Sequence, residues 1–317
     1  MISCTEFIPA YSELFTFLDG LGGHAEVERF WTYLFKPDGK GIPLINFARE
    51  KGLRGCWEYW NGTLKEEAAD VDRWFNEEGG WMHSEMLYCP SKGRLLELEK
   101  EIGLVPYYDY CGHCDCYRSA LDRVGLKWVR IHVHTDEARC ASILYDPARF
   151  RGMIRQDADT EYLPYRSRGA EYFHRDFHSS LNMGIDYVAR VHGEKALRDY
   201  LALYTDHVCI RTIEAMGDDP LTAIEARIRE SYRLEKAEDA LTAKRTPDAL
   251  RVYIAYCPAV RHLRATGREV SPWFSLTTEG VMARLAERGG LTFTMEAYDP
   301  DTGEARYSFT RQNKGGN

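Results

Sequence analysis

Residues 81–102, WMHSEMLYCPSKGRLLELEKEI, read as a strand, a Cys-Pro corner and an amphipathic helix. Trp81 to Tyr88 has the aromatic and apolar content of a strand. Leu95, Leu96 and Leu98 give Ser91 to Ile102 an apolar side, and Pro106 ends it. The same order returns in residues 250–265, LRVYIAYCPAVRHLRA, where Tyr256-Cys257-Pro258 stands 168 positions after Tyr88-Cys89-Pro90. The helical stretch 25–35 lines up with 194–204 at a spacing of 169, and Glu137-Ala138-Arg139 is answered by Glu304-Ala305-Arg306. Three matches at near-constant spacing, with elements in one order, indicate a tandem duplication.

The expected fold class is therefore α+β. Two related modules are each a helical layer on a small antiparallel sheet that ends in a β-hairpin. The expected boundaries are 1–146, a linker at 147–170 rich in Pro, Gly and charge, and 171–317. The modules would pack as a pseudo-twofold pair in a monomer, or the chain as a homodimer. Within them, 7–35 is periodic with a break at Gly20 to Gly23, and Lys36 to Gly41 is a turn. Residues 57–76 read as helix, 128–134 and 140–145 as a hairpin, and 172–187 as the helix that opens the second module.

Composition excludes several function classes. The net charge of −8 and the lack of a basic run give no reason to expect nucleic acid. No apolar run approaches the roughly 20 residues that span a bilayer. The start of the chain has no signal-peptide pattern, so a cytoplasmic location with reduced thiols is expected.

Five of the nine cysteines fall between Tyr88 and Asp146: Cys89, Cys111, Cys114, Cys116 and Cys140. Thiols at such spacing in a reducing compartment point to catalysis or metal binding. The duplication supplies a comparison. The second module keeps Cys257 for Cys89, but it has Phe274-Ser-Leu-Thr-Thr278 where the first has the Cys111 to Cys116 run. It has Ala305 or Tyr307 in place of Cys140. Thiols needed for folding would be kept twice, so those of the first module are expected to serve chemistry. Cys89, shared as Cys257, also suits a structural place at a strand end.

The pattern Cys-Pro, aromatic, Cys, Asp, hairpin, Cys resembles the L-2-amino-thiazoline-4-carboxylic acid hydrolase family. So do Tyr172-Phe-His174-Arg-Asp-Phe-His178-Ser-Ser-Leu-Asn182-Met-Gly184 and Tyr256-Cys-Pro-Ala259 followed by Tyr298-Asp-Pro300. The resemblance implies an enzyme that cleaves C–N or C–S bonds of a small cyclic amidine or amino-acid-derived ring, with the second module degenerate. The catalytic candidates are Cys89, Cys111, Cys114, Cys140, His113 and Asp115, with a neighbouring histidine expected to depress a thiol pKa. Tyr108, Tyr110, His132, His134, His174 and His178 are candidates to line a substrate pocket. His174 and His178, four apart on an expected helix, would face one side. The sequence names no certain cofactor. The alternative is zinc on Cys89, Cys111, Cys114 and Cys140. Two other functions remain open: a thiol or metal sensor without turnover, and a tailoring enzyme that rearranges its substrate without hydrolysing it.

Overall fold

The computed structural model describes every residue except 36–41, 155, 218 and 313–317. The turn expected at Lys36 to Gly41 lies outside the described residues. The chain divides into two compact units, Gly22–His174, called here the thiol unit, and Met1–Leu21 with Arg175–Asn317, the C-terminal unit.

The thiol unit runs α2 (His24–Leu34), α3 (Leu44–Glu66), β1 (Asp70–Asn76), β2 (Trp81–Tyr88), α4 (Pro90–Ile102), α5 (Cys116–Asp122), β3 (Lys127–His134), β4 (Arg139–Tyr145) and β5 (Glu161–Arg166). Its antiparallel sheet has the order β3-β4-β2-β1-β5. Leu44, Leu53, Trp57, Phe75, Leu121 and Leu144 fill the core between sheet and helices.

The C-terminal unit contains α1 (Phe7–Gly22), α6 (Phe177–Val208), α7 (Ile210–Glu214), α8 (Pro220–Leu234), β6 (Leu241–Arg245), β7 (Ala249–Ile254), α9 (Pro258–Ala265), α10 (Leu276–Arg288), β8 (Leu291–Tyr298) and β9 (Ala305–Arg311). Its sheet order is β6-β7-β9-β8, all antiparallel.

Read from the other end, β8-β9-β7-β6 repeats β3-β4-β2-β1. The correspondence extends to small features. Gly23 separates α1 from α2 with φ 68°, and Gly193 breaks α6 at the matching place with φ 89°. Left-handed backbone there suits glycine. Cys89 and Cys257 cap α4 and α9, each with Pro at the first turn. A β-bulge falls between Arg130 and His132 in β3, and between Met295 and Ala297 in β8. Helices α3 and α8 are capped at their C-terminal ends by Glu67 and Glu235, each followed by a residue at positive φ, Ala68 and Lys236.

Three expectations about elements are corrected. Residues 70–76 are not helix but a strand flanked by β2 and β5, with Val71, Arg73 and Phe75 buried. Buried Arg73, its guanidinium 4.5 Å over the Trp57 ring, hides the alternation in the sequence. The linker 147–170 is not unstructured throughout. Its residues 161–166 form β5, held where Arg166 grips Asp72 at 2.8 Å to each carboxylate oxygen and Tyr162 donates to Asp72 at 2.7 Å. The helix expected at 172–187 begins at Phe177 and runs to the break at Gly193, beyond which the helix resumes to Val208.

The unit boundaries also differ from 146 and 171. The first 21 residues join the C-terminal unit because α1 lies on α6. Phe7 stacks on Phe177 at 4.5 Å, Tyr200 donates to the Ala10 carbonyl at 2.8 Å, and His207 meets Glu13 at 2.8 Å. No helix among the described residues is long and apolar enough to cross a membrane.

Candidate thiol site

A 3-10 turn, Tyr110–Asp115, carries Cys111, His113, Cys114 and Asp115 into α5. Two contacts shape it. At Gly112 an added Cβ would come within 2.3 Å of Asp109 Oδ2, so a larger residue there would displace the Asp109 carboxylate. Arg130, from β3, donates to the Cys111 carbonyl at 2.9 Å and pairs with Asp115, which fastens the turn to the sheet.

Inside the turn, His113 Nδ1 lies 2.5 Å from the Tyr110 carbonyl oxygen. A carbonyl only accepts, so Nδ1 carries the proton and Nε2 is left as the basic nitrogen. Cys114 Sγ stands 3.7 Å from that Nε2. A thiol, a base facing it and a fixed acceptor behind the base form a Cys–His pair. The Cys116 thiol donates to the His113 carbonyl.

Cys89 caps α4, receiving the Lys92 amide on its sulfur at 3.5 Å, and donates its own amide to the Ala138 carbonyl at 2.7 Å. Cys257 donates likewise to the Thr302 carbonyl at 3.0 Å. The shared cysteine thus has a structural use in both units. Cys140, on β4, is paired with Met86 and Val133.

The thiols interact electrostatically with one another, and burial dominates their protonation. It pushes Cys114 up to about 12, with Arg130 opposing, and Cys111 to about 11, with Cys114 adding to the rise. Cys140 is held at about 12 by burial and then by Cys114 and Cys111, and burial followed by Cys140 carries Cys89 well upward. The expected depression of a thiol pKa by a neighbouring histidine is therefore corrected. His113 is itself held below its ordinary 6.5 by burial, so it is neutral at pH 7. Glu67 lies in the same neighbourhood. Burial raises its carboxyl, while His174 and His113 act against that.

The remaining candidates separate. Tyr110 is buried, its ring 4.9 Å from His113, whereas Tyr108 is 70% exposed and packs beside Tyr107. The His132 and His134 rings lie 5.1 Å apart, and His132 interacts electrostatically with His83 on β2. Arg130, on the other side of the bulge, is the β3 residue that meets the turn. His174 and His178 do not share a helix face. His174 precedes α6 in the thiol unit, 2.7 Å from Glu66, and His178 lies in the C-terminal unit, 3.1 Å from Glu235. The four zinc candidates are electrostatic neighbours, but they do not form a compact ligand set. Among the described residues, a group of at least three metal-capable side-chain atoms all within 4.8 Å of one another forms at Cys4, His178 and Glu235, not at Cys89, Cys111, Cys114 and Cys140.

Arg130, Glu67 and Lys92 were not anticipated. Glu67 had a signal: it recurs as Glu235 at the same 168-residue spacing as the Cys-Pro pair. Arg130 had none, because a strand arginine reads as solvated.

The C-terminal unit shows what the scaffold needs without this site. Its matching turn has Thr277 Oγ1 donating to the Phe274 carbonyl at 2.7 Å, where His113 meets Tyr110. In the same alignment, Ser275 replaces Cys111, Thr278 replaces Cys114, Met295 replaces Arg130 and Ala305 replaces Cys140. Comparison of the chain with family models, characterised proteins and solved structures returns no match.

Proposed function

We propose that the thiol unit is a hydrolase in which Cys114 is the nucleophile and His113 the base, acting on a small cyclic amidine of the 2-aminothiazoline-carboxylate type. One observation carries the reading: Cys114 Sγ faces the basic Nε2 of His113 at 3.7 Å, while Nδ1 is committed to a backbone carbonyl. The substrate class comes from the sequence resemblance.

Both partners are neutral at rest, and moving the proton from sulfur to Nε2 costs several kcal/mol before substrate arrives. Addition and proton transfer are therefore coupled. The thiol proton passes to Nε2 as sulfur bonds to the amidine carbon, and the C=N electron pair moves to the ring nitrogen, which then takes the proton from His113. Collapse rebuilds a C=N bond and breaks the bond from carbon to ring sulfur, and the proton that the nitrogen loses passes through His113 to the departing sulfur. Water, deprotonated by His113, then adds to the enzyme-bound isothiourea and expels Cys114. The product is a urea bearing a free thiol. Arg130 stabilises charge on sulfur, and its positive field with that of Lys92 suits a substrate carboxylate.

The test is incubation with 2-aminothiazoline-4-carboxylate, following ring opening and adducts by mass spectrometry. Ring opening with a transient Cys114 adduct supports the reading; neither product nor adduct with this class of ring sinks it.

A pH prediction follows from His113. Its neutral form is the base, and its pKa lies below 6.5. The kcat/KM profile is expected to be level around neutrality and to fall only on the acid side of 6.5. A limb at or above pH 7 would remove His113 from the role. Modification by iodoacetamide is expected to be slow as well. A thiol at about 12 instead of 9 holds on the order of a thousandth of the thiolate of an ordinary cysteine at neutral pH.

A further inference from the structure

We propose that Cys4, His178 and Glu235 bind a zinc-type divalent ion that fastens the N-terminal segment onto the C-terminal unit. The three side chains come from three separate elements: the 3-10 turn Cys4–Glu6, helix α6 and the end of α8. All are buried, and one ligand atom from each lies within 4.8 Å of the other two. Thiolate, imidazole and carboxylate form a donor set suited to zinc.

The arrangement is incomplete as a purely hydrogen-bonded cluster. Glu235 accepts the Cys4 amide at 2.5 Å and faces His178 Nε2 at 3.1 Å. His178 is only 1% exposed, yet its Nδ1 has no hydrogen-bond partner among the described residues. Glu235 also shares a side-chain hydrogen bond with the Cys4 thiol, so the buried imidazole, unpaired at Nδ1, is the group that hydrogen bonding leaves unsatisfied. Glu67, at the matching helix end, lies beside His174 and His113 instead, so the scaffold itself does not require this triad.

The site is distinct from the thiol site and stands or falls separately from the proposed reaction. Full-length protein produced with zinc should carry one equivalent by elemental analysis. Cys4→Ser and Glu235→Gln should each lose it, and removal by a chelator should lower the melting temperature by more than about 5 °C. Cobalt in place of zinc should give a thiolate charge-transfer band that survives Cys111→Ser with Cys114→Ser and disappears in Cys4→Ser. No bound ion, a melting temperature indifferent to chelation, or a band that follows Cys111 and Cys114 would each leave a hydrogen-bonded triad only and overturn the proposal. If Cys4→Ser fails to fold, the cobalt spectrum of the Cys111/Cys114 double variant decides: a band supports the site, no band rejects it.

Discussion

Cys114→Ser is expected to lower turnover by about a thousandfold or more while leaving the fold intact. Serine preserves the size and a hydrogen bond to His113 Nε2, but its hydroxyl is a far weaker nucleophile at neutral pH. Cys116→Ser is the informative partner. Its thiol is already committed to the His113 carbonyl, and a serine hydroxyl can make the same bond, so activity should stay within a few-fold. Rates of ring opening for the two variants, with melting curves to confirm folding, make the measurement. Equal loss at both positions, or none at Cys114, would place the chemistry elsewhere.

Phe75→Ala is expected to destabilise the protein by about 3–5 kcal/mol, read as a shift in the denaturant midpoint. Phe75 is fully buried, stacked on Trp57 at 5.3 Å with the Arg54 guanidinium 4.2 Å from its ring. Its neighbour Trp74 points to the opposite face of the sheet, stacked between His83 and Tyr162 at 5.3 Å from each and only half-buried. Trp74→Ala should therefore cost much less, on the order of 1–2 kcal/mol. The contrast between adjacent positions follows from a strand, whose side chains alternate. Equal costs would argue against the strand assignment of 70–76.

The thiol site was partly legible before any coordinates. Cys111, His113, Cys114 and Asp115 lie within five residues, so local spacing alone brings them to one turn. Which thiol faces a base was not legible, because that depends on the backbone of the 3-10 turn and on the tautomer set by the Tyr110 carbonyl. Arg130 and Glu67 reach the turn from β3 and the end of α3, over distances in sequence that no spacing rule covers. His174 and His178 were misjudged for the same kind of reason. A four-residue spacing implies a shared face only inside a helix, and α6 begins between them.

The doubled α+β architecture was determined by the sequence itself, because the repeated Cys-Pro corner and the hairpins are local signals that chain order preserves. Tertiary structure alone decided where the first 21 residues belong and that 161–166 completes the other sheet. Both depend on apolar faces and strand edges finding cover far along the chain. It alone also decided that burial makes these cysteines weak acids, since the cost of a buried charge depends on surroundings that the order of residues does not state.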